Sequence, residues 1–188
     1  MEKKYKLTEE TINVDGRTLY RIEALKDFAN IKKGEKGGFI EDEKNLSQSD
    51  DCWVYGNAKV FGNAKVYGYA KVFINANIYG NAEVYNNAKV FANAKVYDDA
   101  KVYDDAEVYD NAEVCGKAEI YGNAEVCDNA KICDDAKVYD NALVYGNAKV
   151  YDNAKVFENA DVYGNARIYG NARVYGYALV CDNTKLCD

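Results

Sequence analysis

The sequence contains no histidine, no proline and no run of about 18 apolar residues, the length that a membrane-spanning helix requires. Without histidine, neither a histidine general base nor a mixed Cys/His zinc site can form. A Gly-rich phosphate loop and a Gly-x-Ser-x-Gly nucleophile motif are also missing. We therefore expect a protein that does not span a membrane, is not an enzyme, has no catalytic residues, and needs neither a metal ion nor a cofactor.

The charge of the chain is mildly acidic, with 24 basic and 31 acidic residues and a formal net charge of -7. This balance gives no indication of a nucleic-acid-binding surface. The first residues, MEKKYKLTEE, are polar and lack the apolar stretch of a signal peptide. We expect a cytoplasmic protein of cellular or phage origin.

A six-residue repeat runs from Asp51 to Asp188 without an insertion. Position two is Ala in every unit except at Cys52 and Thr184, and position four is always Val, Ile or Leu. This alternation predicts a short strand whose second and fourth residues face inward and whose third faces outward. Positions six and one are mostly Gly, Asp or Asn, which favour turns. Each unit is predicted to form one strand and one corner.

Three such units make a triangular coil of about 18 residues, stacked on the next coil at the usual strand spacing. The predicted fold is all-β: a single-stranded parallel β-helix over residues 51–188, preceded by a small N-terminal β cap over residues 1–50. Within the cap, Asp15-Gly16 lies between two strand-like segments and favours a hairpin. The glycine-containing segment over residues 31–51 is predicted to be a loop that leads into an irregular first coil.

With three units per coil, the outward third-position residues form three rows. Mixed charge along such rows is typical of solvated faces. The rows are Trp53, Lys71, Lys89, Glu107, Glu125, Leu143, Asp161 and Leu179; Lys59, Asn77, Lys95, Glu113, Lys131, Lys149, Arg167 and Lys185; and Lys65, Glu83, Lys101, Glu119, Lys137, Lys155 and Arg173.

Position five places an aromatic residue at most corners. Two interpretations are open: the rings stack on their neighbours and shield the corner, or they form an apolar surface for association. The fullest column, here called the Tyr67 column, is the candidate interaction site and contains Tyr67, Tyr85, Tyr103, Tyr121, Tyr139, Phe157 and Tyr175.

Five of the six cysteines replace aromatic residues at position five. We interpret them as substitutions within the repeat and not as a disulfide framework. Two of them, Cys115 and Cys133, are expected to be stacked neighbours that can become a reactive pair, although no basic group is predicted beside them to lower a thiol pKa.

Acidic residues are concentrated midway along the repeat, where twelve of them lie between Asp98 and Asp135 against Lys101, Lys117 and Lys131. Turn chemistry accounts for Asp at corners, and no Asp-x-Asp-x-Asp-Gly calcium loop is present. The interleaved lysines indicate charge compensation, with Lys117 between Asp99 and Asp135. The candidate residues of this acidic belt are Asp98, Asp99, Asp104, Asp105, Asp134 and Asp135.

The repeat resembles the hexapeptide repeat of left-handed parallel β-helix proteins, which are best known as acyltransferases. The segment that leads into it is similar to the start of a bacterial and phage group of hexapeptide-repeat proteins named as transferases. The resemblance implies a left-handed solenoid and an acyltransferase activity. Because such enzymes typically use a histidine base and loops that interrupt the repeat, both missing here, we disfavour that activity. The similar segments are Gly37-Gly38-Phe39-Ile40, Asn45-Leu46-Ser47-Gln48 and Asp51-Cys52-Trp53-Val54-Tyr55.

The expected function is a non-catalytic structural or protein-interaction scaffold. Because the repeat continues to Asp188 without a predicted cap, we expect homo-oligomerisation or end-to-end self-association through an open strand edge, with a protein partner as another possibility. An alternative function is an acidic solenoid inhibitor that mimics nucleic acid. The interleaved lysines count against this alternative, because they break up the acidic surface.

Overall fold

The computed structural model describes residues 2–188 and contains a parallel β-solenoid of about eight coils. Within the repeat, successive coils pair strand by strand in parallel, so that Lys89 lies beside Glu107, at a sequence separation of 18, and Val90 lies beside Val108. The sequence prediction of an all-β parallel solenoid with a coil of about 18 residues is therefore confirmed.

Three sheets form the sides of the solenoid. Sheet I consists of β1 (Tyr5–Val14), β2 (Arg17–Ala24), β3 (Lys36–Ile40), β5 (Lys59–Val60), β8 (Asn77–Ile78), β11 (Lys95–Val96), β14 (Glu113–Val114), β17 (Lys131–Ile132), β20 (Lys149–Val150), β23 (Arg167–Tyr169) and β26 (Lys185–Cys187). Sheet II consists of β4 (Trp53–Val54), β7 (Lys71–Val72), β10 (Lys89–Val90), β13 (Glu107–Val108), β16 (Glu125–Val126), β19 (Leu143–Val144), β22 (Asp161–Val162) and β25 (Leu179–Val180). Sheet III consists of β6 (Lys65–Val66), β9 (Glu83–Val84), β12 (Lys101–Val102), β15 (Glu119–Ile120), β18 (Lys137–Val138), β21 (Lys155–Val156) and β24 (Arg173–Val174).

The core is a continuous column of small and branched aliphatic side chains. Every second-position Ala and every fourth-position Val or Ile from Ala58 to Val174 is buried. Alanine leaves enough room for three chains to meet in a narrow interior, and the branched residue fills the space beside it at the density of a normal protein core. Since β-branched residues also favour extended backbone, local preference and packing agree at position four.

The N-terminal segment joins the solenoid through sheet I. Strands β1 and β2 form an antiparallel hairpin around Asp15 and Gly16, whose φ angles of 51° and 79° lie in the left-handed region. Strand β3 then pairs antiparallel with β2 on one side and parallel with β5 on the other, with Phe39 beside Lys59. Sheet I therefore runs without interruption from the hairpin to the last coil.

The segment predicted to be a loop before the first coil instead contains β3, followed by a three-residue 3-10 helix, Glu43–Asn45. Gly34 lies in a turn with a φ of 88°, as the sequence indicates, but Gly37 and Gly38 lie in β3 and are required for close packing. A Cβ atom on Gly37 would lie 2.5 Å from the Val54 carbonyl oxygen, and one on Gly38 would lie 2.6 Å from the Ala58 carbonyl oxygen. Residues 2–188 contain no helix that is long and apolar enough to cross a membrane.

Trp53 differs from the other outward residues because it is fully buried. The rings of Phe28 and Tyr5 pack edge-on against it, with centroids 5.3 and 6.1 Å away. Beside it, the buried Lys4 Nζ donates to the Cys52 carbonyl oxygen at 2.9 Å, and burial lowers the pKa of Lys4. The prediction that Trp53 is exposed was wrong, because the N-terminal segment covers this side of the first coil.

We predict that Ile120→Ala lowers the free energy of unfolding by about 2–4 kcal/mol, because it opens a cavity in the buried column. Lys101→Ala is the matched control on sheet III: its side chain is exposed, and the expected change is below about 0.5 kcal/mol. Urea unfolding followed by far-ultraviolet circular dichroism measures both. Equal effects of the two substitutions would contradict the inward assignment of position four.

Candidate functional site

The Tyr67 column is a stack of parallel rings along the corner that follows sheet III. Successive ring centroids from Tyr67 to Tyr175 are 4.8 to 5.3 Å apart. Each ring is half-buried between its neighbours except Tyr175, which is 58% exposed. Most of the apolar surface of the column is therefore covered by contacts between rings of the same chain.

The hydroxyl groups of several column residues are engaged as well. Tyr67 Oη donates to Glu83 Oε2 at 3.1 Å, and Tyr103 Oη donates to Glu119 Oε2 at 3.0 Å. Burial, followed by the neighbouring ring and carboxylates, raises the pKa of Tyr121 to about 12. Burial likewise raises the pKa of Tyr79, in the corner after sheet I, to about 12.

The acidic belt is partly an internal structural feature. Asp98 and Asp134 occupy position six with φ angles of 59° and 61°. Asp98 Oδ2 accepts a hydrogen bond from the Gly116 N–H at 3.2 Å, one coil later, and among residues 2–188 that N–H has no carbonyl partner. Asp134 accepts from the Asp152 N–H in the same way. These carboxylates satisfy backbone donors that the parallel pairing leaves unpaired.

The other belt residues lie in hydrogen-bonded corner ladders or are exposed. Asp99, Asp104 and Asp105 each accept from an Asn side chain one coil earlier, at 2.8 to 3.0 Å. Asp135 is exposed, and Lys117 of the same corner has no ion pair among residues 2–188. Within these residues, no group of three or more His, Cys, Asp or Glu side chains is arranged to hold a metal ion.

The three outward faces differ in charge along their second half. We call the outward sides of sheets I, II and III face I, face II and face III. From β13 onward, face II contains no Lys or Arg, nor do the two corners that border it. Its outward residues there are Glu107, Glu125, Leu143, Asp161 and Leu179. The sequence predicts mixed charge along the whole of this row, but its cations, Lys71 and Lys89, both lie in the first half, so the prediction does not hold for the second half.

Face I is basic from β17 onward. Lys131, Lys149, Arg167 and Lys185 follow one another along its row. Glu113 pairs with Lys95 at 3.1 Å and with Lys131 at 3.3 Å, which leaves the last three cations without an ion pair among residues 2–188. On face III, Lys137 pairs with Glu119 at 3.0 Å.

Cys115 and Cys133 form a disulfide between adjacent coils, with their Cα atoms 4.6 Å apart. The expectation that the cysteines are only substitutions within the repeat was wrong for this pair. Stacking places equivalent residues one strand spacing apart, which is within the Cα separation that a disulfide requires. The remaining cysteines, Cys52, Cys127, Cys181 and Cys187, are free.

Three exposed apolar side chains lie close together in sequence near β24 and β25. Tyr175 is 58% exposed, Tyr177 is 85% exposed and Leu179 is 66% exposed. Tyr177 occupies a corner position of the repeat. Leu179 occupies an outward position of face II on β25, which has a paired strand on one side only among residues 2–188, whereas the equivalent Leu143, with strands on both sides, is half-buried. Contiguous exposed apolar side chains on a protein surface commonly mark a contact with a partner.

These features define a β-solenoid repeat protein. A family model described as the YdcK beta solenoid repeat matches residues 136–152 and 166–182. Each matched segment spans nearly one coil, and the two together cover less than half of the chain. Comparison with the curated proteins finds no match. The family match and the structure together support a repeat β-helix protein.

We predict that the protein loses stability as the pH rises from about 10 to about 12. The folded-state pKa of Tyr79 and Tyr121 is raised from 10.0 to about 12, so the unfolded chain loses these protons first. Their contribution is fully present below pH 10. Thermal unfolding across this pH range, with tyrosinate absorbance, measures the loss. Tyr121→Phe, which keeps the ring, should give a shallower decline; a decline as steep as that of the native chain would contradict this.

We predict that alkylation of the denatured, unreduced protein modifies four cysteines, and that prior reduction raises the number to six. The reason is the Cys115–Cys133 bond, which removes two thiols. Intact mass spectrometry counts the labels, and Cys133→Ser should add one label before reduction. Six labels without reductant would show that the pair is reduced, as is usual for thiols in a reducing compartment.

Proposed function

We propose that this chain is a non-catalytic structural or protein-interaction scaffold that associates with itself through its side-chain columns or through the edge formed by β24, β25 and β26. The observation that carries the proposal is the group of exposed apolar side chains Tyr175, Tyr177 and Leu179. They lie beside the outer edges of β24 and β25, to which no further strand is paired among residues 2–188. Such edges accept further strands or partners.

The rest of the surface supports a role in binding without catalysis. The aromatic rings are stacked on one another, and several corner carboxylates accept hydrogen bonds from the backbone. A general base with a pKa near 7 needs a buried carboxylate or lysine, or a histidine. Lys4 is a buried lysine, but its Nζ donates hydrogen bonds to the carbonyl oxygens of Asp50 and Cys52. Three expectations remain predictions: membership of the hexapeptide-transferase group, the left-handed sense of the solenoid and the cytoplasmic location.

A second candidate function is the acidic inhibitor that mimics nucleic acid. One observation favours it: face II lacks cations from β13 onward and carries Glu107, Glu125 and Asp161. The engagement of Asp98 and Asp134 with the backbone counts against the acidic belt as its binding surface. The two functions differ in their partner, which is a nucleic-acid-handling protein for the mimic and a further copy for the scaffold.

We predict that the double substitution Tyr177→Ser/Leu179→Ser weakens self-association by about tenfold or more, because it removes exposed aromatic and aliphatic surface. Tyr69→Ser is the matched control. Tyr69 occupies the same corner of an early coil and is 62% exposed, but it lies far from the proposed contact. Sedimentation velocity across a concentration series measures the association of all three proteins.

A native protein that stays monomeric at the highest concentrations would overturn the scaffold proposal. Equal weakening by Tyr69→Ser would show that the last coils are not the contact. If the native protein is monomeric and instead captures a nucleic-acid-handling protein in a salt-sensitive manner, the mimic is the better account.

A further inference from the structure

Face I and face II carry opposite charges on the same coils. On face II the outward acids are Glu107, Glu125 and Asp161. Glu107 pairs with Lys89 of the preceding coil at 2.7 Å, whereas Glu125 and Asp161 have no ion pair among residues 2–188, and the face carries no Lys or Arg from β13 onward. On face I the unpaired cations are Lys149, Arg167 and Lys185. The charge therefore changes sign across the solenoid, from one side to another, and not only along its axis.

Each face sets like charges directly beside one another. Lys149 is in register with Arg167, Arg167 is in register with Lys185, and on face II Glu107 is in register with Glu125. Like charges directly opposite on neighbouring strands are destabilising. Among residues 2–188, no acidic side chain lies within ion-pair distance of the three unpaired cations. An external row of opposite charge would relieve this repulsion.

A second copy of the same chain has a row of the required sign and spacing. The coil-to-coil repeat, measured by the stacked rings of the Tyr67 column, is 4.8 to 5.3 Å. Two copies with parallel axes share this repeat, so a row of acids and a row of cations stay in register over several coils. A partner with a different spacing would lose register after one or two contacts.

We propose that face II of one copy docks side by side on face I of a second copy, with Glu125 and Asp161 opposite the row Lys149, Arg167 and Lys185. This inference rests on the proposed self-association and names the surfaces that make it. The two faces are different surfaces, so the contact is heterologous: it leaves one free face of each kind and continues to a closed ring or an open array.

The uncharged residues of face II fit the same contact. Leu143 and Leu179 alternate with Asp161 along the row, and Leu179 is 66% exposed. The methylene stems of Lys and Arg cover apolar surface while their charged groups reach a carboxylate. Docking therefore buries both leucines against the stems of face I and leaves the charges paired.

The test is a charge swap. Lys149→Glu/Arg167→Glu on face I and Glu125→Lys/Asp161→Lys on face II should each weaken self-association by about tenfold or more. Mixing the two variants should restore association between them, because each then supplies the row that the other has lost. Lys155→Glu/Arg173→Glu on face III is the matched control and should associate as the native chain does. Sedimentation velocity at about 0.05 and about 0.5 M salt measures each species, and salt should weaken the native contact.

The outcomes separate the two proposals. If the native chain associates but both reversed variants associate equally well, or if mixing them restores nothing, the face-to-face contact is wrong and the scaffold proposal stands. If the native chain is monomeric at all concentrations, both proposals fall. Far-ultraviolet circular dichroism and thermal unfolding of each variant show that it is folded, which is expected because every substituted side chain points away from the core.

Discussion

The in-register stacking of successive coils is the constraint on which the rest of the structure depends. It turns one buried Ala and one buried aliphatic residue per unit into a continuous core, although no single unit can bury its own apolar face. The same register aligns every other position with its counterpart, so aromatic rings stack on rings and Asn side chains bond to Asn side chains. An interaction made at one position of the repeat is therefore repeated from coil to coil along the solenoid axis.

The fold was predictable because every repeat unit carries the residue types that in-register stacking requires. A small residue at position two and an aliphatic residue at position four specify the inward side, and Gly, Asp or Asn specifies the corner. The hairpin at Asp15 and Gly16 lies where the turn dipeptide predicts one. Strand β3 did not follow from composition, because Gly37 and Gly38 look like turn residues, and their role in close packing depends on the carbonyl groups of Val54 and Ala58.

The surface features were less predictable, since they depend on which residues meet across coils. The period gives the stacking of Cys115 on Cys133, yet the bond between them was not predicted. Trp53 has an outward position in the repeat, and only the tertiary contact with Phe28 buries it. The outward residues of face II include lysines in the first half of the row and only acidic or apolar residues in the second. A single prediction of charge for the whole row therefore combined two different surfaces.

The hydrogen bonds that position-six carboxylates accept show that one residue can serve two needs of the chain. Asp98 adopts the left-handed backbone conformation of the corner, and its carboxylate accepts a hydrogen bond from the N–H of Gly116 one coil later. Position three has neither duty: it accommodates Lys, Glu, Asn, Leu, Asp and Arg on the same backbone. The architecture thus separates residues that maintain the coil from residues free to vary. New binding specificities can accordingly evolve one coil at a time on a scaffold whose interior does not change.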